Sequence, residues 1–289
     1  MKMKRVRLVA AFIVLLHVSL AVGETTGPQR VVALSYNIRH GEGMDGKINL
    51  ERLAAVIKSV SPDVVALQEV DSKTQRSGGV DQAEELSRLT GMKMVYGRTM
   101  DYQGGLYGNA VLTRLRIQDV KNRALPFTQG REPRAVLIVE LTSTTPSAGQ
   151  ASGLFAFCAT HFDFSPDPTD RLSAVSSIAE WIAANPDRPV LLAGDLNSTP
   201  GSPTLKALGA TWQVAGAGRN LFTTPVDHPR RQIDFILYRP ADRWRVVEVR
   251  VLGEAMASDH RPILAVLELL PSHIAGAVSQ GNTRKAAKP

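Results

Sequence analysis

Val190-Leu-Leu-Ala-Gly-Asp195-Leu-Asn197 is an apolar run that ends abruptly in a carboxylate and an amide. A run this short, apolar on both faces, reads as a β-strand buried between layers, which points to an α/β fold. The same pattern recurs elsewhere in the chain. Val31-Val-Ala-Leu-Ser-Tyr36 ends in Asn37, Val64-Val-Ala-Leu-Gln68 ends in Glu69, and Ser258-Asp259-His260 stands just before the apolar run Ile263–Leu267. Polar groups carried on rigid strand ends can converge on one point.

Further strands are expected at Ala110–Thr113, Ala135–Leu141, Leu154–Ala159, Phe235–Tyr238 and Val246–Val251. Helical periods lie between them. Asn49 can cap a helix whose Leu50, Leu53, Ile57 and Val60 share a face, with Pro62 as its stop. A second runs from Asp81 to Leu89 and closes on Gly91. A third begins at Thr169 or Asp170, carries Leu172, Val175, Ile178 and Ile182 on one side and ends at Asn185-Pro186; Ser202-Pro203 opens a fourth. Thr142 to Gly153, rich in small polar residues, reads as a hairpin loop. Two strand layers with helices outside them make a layered α/β sandwich.

The ends of the chain differ from its body. Lys2, Lys4, Arg5 and Arg7 precede an apolar run from Leu8 to about Val22, and Ala21-Val-Gly23 supplies small residues before Glu24. This is the pattern of a cleaved secretory signal peptide, residues 1–23. The run is shorter than the roughly 20 apolar residues of a bilayer-spanning helix, so no transmembrane segment is expected in the mature chain. Residues 24–271 are then one domain, and residues 272–289 a disordered tail containing Arg284, Lys285 and Lys288. The net charge of +7 is thus carried by the ends, and the near-neutral body is a poor match for a committed nucleic-acid binder. The single cysteine, Cys158, sits in Phe155-Ala-Phe-Cys-Ala and reads as a small core residue. Export implies a secreted or periplasmic address; oligomeric state is left open.

Taken singly, an Asn or Asp after a strand is more often a turn former than a functional group. Asp234 is stranger, because Ile233 precedes it and Phe235-Ile-Leu-Tyr238 follows; a carboxylate buried there needs a partner, and a histidine is a natural one. Oxygen-rich groups such as Glu69 and Asp259 suit a hard cation, Mg²⁺ or Mn²⁺. No His and Cys cluster has zinc-like spacing. A metal that polarises a phosphoryl oxygen, beside a histidine paired with a carboxylate, suits hydrolysis of phosphate esters.

The ordered set Tyr36-Asn37-Ile38, Leu67-Gln68-Glu69, Thr160-His161-Phe162, Gly194-Asp195-Leu196-Asn197, Ile233-Asp234-Phe235 and Ser258-Asp259-His260-Arg261-Pro262 resembles the endonuclease/exonuclease/phosphatase superfamily. This group includes deoxyribonuclease I-like nucleases, abasic-site endonucleases, neutral sphingomyelinases and inositol-polyphosphate 5-phosphatases. The likeness extends from about Arg30 to Leu270. It implies a four-layer α/β sandwich: two packed, mostly antiparallel β-sheets with helices on the outside.

The resemblance also implies roles. Glu69 would hold the divalent metal with Asn37 beside it, and Asp259 would contribute to the same region. Asp195 would orient or activate the attacking water, and Asn197 would hydrogen-bond the phosphoryl group. His260 would face the scissile phosphate, fixed by Asp234. His161 would stabilise the transition state or help the leaving group depart. Arg131, in Arg131-Glu-Pro133, either touches a phosphate oxygen or lies on a solvated loop. Asn109 either shapes the phosphate pocket or forms a turn, and the loop from His40 to Gly46 is a candidate rim.

Arg39 stands where abasic-site endonucleases carry an acid, and no run of basic residues interleaved with aromatics tracks a nucleic-acid backbone. The expectation is therefore a secreted, divalent-metal-dependent phosphodiesterase or phosphatase acting on a small or lipid-linked phosphate ester. An extracellular nuclease acting on DNA or RNA is the alternative, and a non-catalytic binding protein of the same fold the third reading.

Overall fold

The computed structural model describes residues 28–142 and 153–271. The expected signal peptide, the tail and most of the loop between Thr142 and Gly153 lie outside the described residues.

Two six-stranded sheets pack face to face. The first contains β1 (Gln29–Asn37), β2 (Val64–Ser72), β3 (Lys93–Tyr102), β4 (Gly105–Thr113), β11 (Trp244–Val251) and β12 (Ile263–Leu269), in the order β11-β12-β1-β2-β4-β3. The second contains β5 (Arg116–Ala124), β6 (Ala135–Thr142), β7 (Phe155–His161), β8 (Val190–Asp195), β9 (Gln213–Val214) and β10 (Asp234–Arg239), in the order β5-β6-β7-β8-β10-β9.

All neighbours are antiparallel except β1 with β2 and β7 with β8. A parallel pair needs a crossover, and each has a helix in that place. Helix α1 (Leu50–Ser59) joins β1 to β2, and α3 (Thr169–Ala183) joins β7 to β8. Helices α2 (Gln82–Thr90) and α4 (Pro203–Leu208) complete the set. The expected caps form: Asn49 accepts from Arg52 N at 2.8 Å, Asp81 from Glu84 N at 3.2 Å and Ser202 from Leu205 N at 3.3 Å. Gly91 ends α2 at φ 70°, a conformation glycine adopts without steric cost.

The strands are apolar on both faces because each face serves a different core. Val31, Ala33, Val64 and Ala66 meet Val139, Phe157, Leu191 and Ile236 between the sheets. Leu34, Tyr36, Val65 and Leu67 pack outward on Leu53, Ile57 and Leu86, while Ile138, Cys158 and Leu192 pack on Val175, Ile178 and Ile182. Each fully buried Val, Leu, Ile or Phe among them contributes on the order of 1.5–3 kcal/mol. A one-residue slip would exchange the two faces, so register is strongly specified. The result is the four-layer α/β sandwich. Among the described residues no helix is long and apolar enough to cross a membrane.

Candidate active site

The two parallel pairs end at the same place. β7, β8 and β10 lie side by side, with His161 opposite Asp195 and Asp195 opposite Asp234. Residues in register project from one face, so the three form a row. Gly194 permits this spacing, because a Cβ there would lie 1.9 Å from the Thr160 carbonyl oxygen. Asn197 follows with a left-handed φ of 46°. Its backbone N–H donates to Asp195 Oδ1 at 2.9 Å and its side-chain amide donates to Phe162 O at 3.0 Å.

The first sheet supplies the opposite wall. Between Leu67 and Val70 the register of β2 against β4 shifts, so Gln68 and Glu69 face Asn109 alone. Such a bulge re-aims a side chain. Glu69 sits in it at φ 58°, a conformation costing about 1–3 kcal/mol in a non-glycine residue and kept where the surroundings enforce it. Asn37 Nδ2 donates to Glu69 Oε1 at 2.9 Å and to Asp195 Oδ2 at 3.2 Å, which ties the two sheets together.

His260 enters from the turn before β12. Ser258 Oγ donates to the Asn37 carbonyl at 2.7 Å and accepts from His260 N at 3.3 Å. His260 Nδ1 lies 2.9 Å from Asp234 Oδ2, which also accepts from Thr223 Oγ1 at 2.5 Å. The Nε2 atoms of His161 and His260 lie 3.6 and 3.8 Å from the same oxygen, Asp195 Oδ2.

These contacts set the charges. Burial and the neighbouring Asp234 push the Asp195 carboxyl up to about 7. Burial alone would lower His260, but the charge and hydrogen bond of Asp234, with Asp195 and Asp259, raise it to about 10. Burial, the Arg134 guanidinium and His260 hold His161 well below the ordinary histidine range. Near neutral pH one histidine is therefore cationic and the other neutral.

Glu69, His161, Asp195, Asn197 and His260 line a cavity of about 270 Å³. Its remaining walls are Met100, Tyr102, Tyr107 and Phe164, with Glu132, Arg76 and Arg134. Arg76 is clamped by two 2.8 Å hydrogen bonds to Asp71 and lies 4.6 Å over the Tyr102 ring. A groove of about 620 Å³ around the β3–β4 hairpin shares Tyr102 but none of the converging side chains, so the smaller cavity is where chemistry can occur.

Other residues singled out in the sequence lie elsewhere. Asp259, with a side chain 46% exposed, lies 3.8 Å from Arg39 beside the His260 turn. Asn109 is buried and donates to the Ala135 carbonyl at 3.2 Å, joining β4 to β6. Arg131 is ion-paired with Asp163, Asp167 and Asp170 at 3.6, 2.9 and 3.3 Å, outside the residues lining the cavity. The loop from His40 to Gly46 is also absent from that lining; Gln82 Nε2 ties it down at the His40 carbonyl at 2.6 Å.

Ligand atoms of Asp195, Asp234 and His260 lie within 4.8 Å of one another, close enough to hold a metal ion. Two of them already bond each other, however, which leaves Glu69 as the freer carboxylate in the cavity.

The chain is 28% identical over 249 residues to the Escherichia coli (strain K12) protein named "Uncharacterized protein YbhP", covering 82% of this chain and 95% of that one. It is 27% identical over 198 residues to the Caenorhabditis elegans 5'-tyrosyl-DNA phosphodiesterase, covering 65% of this chain and 49% of that one. Among solved structures, a mannosyl-6-phosphatase of Bacteroides thetaiotaomicron shares the fold at TM-score 0.65 and 19% identity, covering 82% of this chain and 99% of that one. The endonuclease/exonuclease/phosphatase from Beutenbergia cavernae does so at TM-score 0.65 and 22% identity, covering 83% and 72%. The model of the endonuclease/exonuclease/phosphatase family matches residues 34–260, a span that runs from the second half of β1 to His260 and contains every side chain of the converging set. The chain belongs to the endonuclease/exonuclease/phosphatase family, whose members are phosphoester hydrolases.

Proposed function

We propose that this chain is an exported, divalent-metal-dependent hydrolase of a small or lipid-linked phosphate ester, of phosphodiesterase or phosphatase type. The observation that carries this reading is the row His161–Asp195–Asp234 across three strands, closed by His260 and Asn197 and faced by Glu69.

Glu69, with Asn37 beside it, would hold Mg²⁺ or Mn²⁺ in the cavity, and Asp259, outside the cavity lining beside the His260 turn, would contribute only from its edge. The donors fit: they are oxygens, as hard cations prefer, and Glu69 is half-buried at a strained position that keeps its carboxylate at the cavity wall. A cation bound there would supply Lewis-acid polarisation of a phosphoryl oxygen and offset developing charge.

The protein's own groups account for the rest. Asp195, raised toward neutrality, orients the attacking water and takes its proton. Asn197 hydrogen-bonds the phosphoryl group. Cationic His260, steadied by Asp234, faces the negative charge of the phosphate, and His161 stabilises the transition state from the other side. The near-neutral body and the side chains of Met100, Tyr102, Tyr107 and Phe164 support a substrate of limited size over a long nucleic acid. The N-terminal pattern of Lys2 to Gly23 supports export to a secreted or periplasmic address, tested by the N-terminus of the mature protein.

The test is turnover of a bis-aryl phosphate, a phosphomonoester, sphingomyelin and plasmid DNA with Mg²⁺ or Mn²⁺, repeated with chelator. Metal-dependent hydrolysis of one of the first three is expected. Plasmid nicking alone would favour the nuclease reading, and no turnover at all would favour a binding protein.

A further inference from the structure

Arg134 stands just before β6, 5% exposed, and its position is fixed on several sides. Nη1 is 2.9 Å from Glu132 Oε1, and the guanidinium carbon lies 5.9 Å from the Phe164 ring centre. The same Nη1 lies 3.0 Å from His161 Nδ1.

A guanidinium has donors and no acceptor. The Asn197 amide nitrogen, 3.1 Å from Nε2, is likewise a donor, so two donors compete for the one lone pair of the neutral imidazole. The charged guanidinium is the stronger donor and Asp195 Oδ2 stands 3.6 Å from Nε2 as an acceptor, which together favour the lone pair on Nδ1 and the proton on Nε2. Turning the ring over would set a C–H against the guanidinium. The 3.1 Å approach of Asn197 Nδ2 to Nε2 then joins two donors, and it is a contact without a hydrogen bond; that amide has its acceptor in the Phe162 carbonyl at 3.0 Å.

We infer that Arg134 is a positioning residue that locks His161 as the Nε2–H tautomer, so that a neutral N–H points into the cavity toward the substrate phosphoryl group. The two histidines are thereby set in opposite senses. Asp234 accepts from His260 Nδ1, whereas Arg134 donates to His161 Nδ1. His161 offers its N–H bond to a phosphoryl oxygen and retains the proton, leaving the proton of the attacking water to Asp195. This division of labour rests on the hydrolase reading; the tautomer does not.

The experiment is ring ¹⁵N NMR of histidine-labelled protein near neutral pH, with His161→Gln to assign the signal. The expected spectrum shows Nε2 protonated and Nδ1 unprotonated. Arg134→Lys keeps a donor and should keep that pattern. Arg134→Met removes it, and the ring should move to the Nδ1–H form or a mixture, with Nε2 accepting from Asn197. In turnover, Arg134→Met should lower kcat about 10- to 100-fold, with KM within a few-fold and partial rescue by Arg134→Lys. An Nδ1–H ring in the wild type, or an unchanged ring in Arg134→Met, overturns the proposal. The wild-type spectrum decides even if Arg134→Met fails to fold. The expected tautomer without any turnover would instead count against the hydrolase reading.

Discussion

Asp195 and Asp234 face each other in register across β8 and β10, two carboxylates brought together by an antiparallel pair of strands. Their proximity and burial raise Asp195, and the cationic His260 bonded to Asp234 offsets the repulsion. The cost falls on Asp195, where a neutral amide would be easier to bury than the carboxylate; Asp234 is compensated by His260.

Asp195→Asn should therefore separate activity from stability. Loss of the group that takes the proton lowers kcat by about 10²–10⁴-fold. The amide oxygen still accepts from Asn197 N, and the bond from Asn37 is lost at a cost of about 1 kcal/mol; removing a buried carboxyl raised to about 7 outweighs that loss, so Tm should equal or exceed that of the wild type. Thermal unfolding and turnover of one preparation check both, and a lower Tm would contradict the cost assigned to Asp195.

Asp234→Asn should change how stability depends on pH. The folded pKa of His260, about 10, lies above the ordinary value of 6.5, so its contribution is fully present below pH 6.5 and is lost as pH rises toward 10. Denaturant unfolding across that window should show a decline in the wild type and a flatter curve in Asp234→Asn. Equal slopes would mean that His260 is not held as a cation by Asp234.

Gly194→Ala should damage the site through the backbone. The added Cβ meets the Thr160 carbonyl at 1.9 Å, which forces β8 away from β7 and separates Asp195 from His161. Overpacking of this kind costs about 1–3 kcal/mol. Reduced stability together with reduced turnover is expected, and wild-type values in both would contradict the packing described.

Arg131→Ala tests a residue that the sequence brought forward and the structure sets apart. Its partners are Asp163, Asp167 and Asp170, so the substitution should lower Tm while leaving kcat and KM within a few-fold. A large loss of kcat or rise in KM at unchanged Tm would return Arg131 to contact with a phosphate oxygen.

The interior of the fold was legible and its margins were not. Central strands announce themselves by apolar runs, and all nine expected from sequence form. The three not expected, β3, β5 and β9, lie at sheet edges, where a strand bears one partner and polar side chains. β5, Arg-Ile-Gln-Asp-Val-Lys-Asn-Arg-Ala, is exposed along most of its length and carries no buried face to read. At the site, the residues on the ends of β1, β7 and β8 could be read because each interrupts an apolar run. Arg134 could not. Its place beside His161 follows from the pairing of Val136 with Thr160, which no local pattern encodes, and the neighbouring Arg131 carried the more visible motif. Arg76 and Tyr102 reach the cavity from a loop and an edge strand, where polar and aromatic residues are unremarkable.

The most direct measurement is hydrolysis of a bis-aryl phosphate by the purified protein, with Mg²⁺ or Mn²⁺ and then with excess chelator, beside Asp195→Asn and Glu69→Gln. Turnover that disappears with chelator, returns with metal, is lost in Asp195→Asn and needs more metal in Glu69→Gln is the expected result. Turnover that survives both chelator and Asp195→Asn would contradict the assignment of this cavity as a metal-dependent phosphoesterase centre.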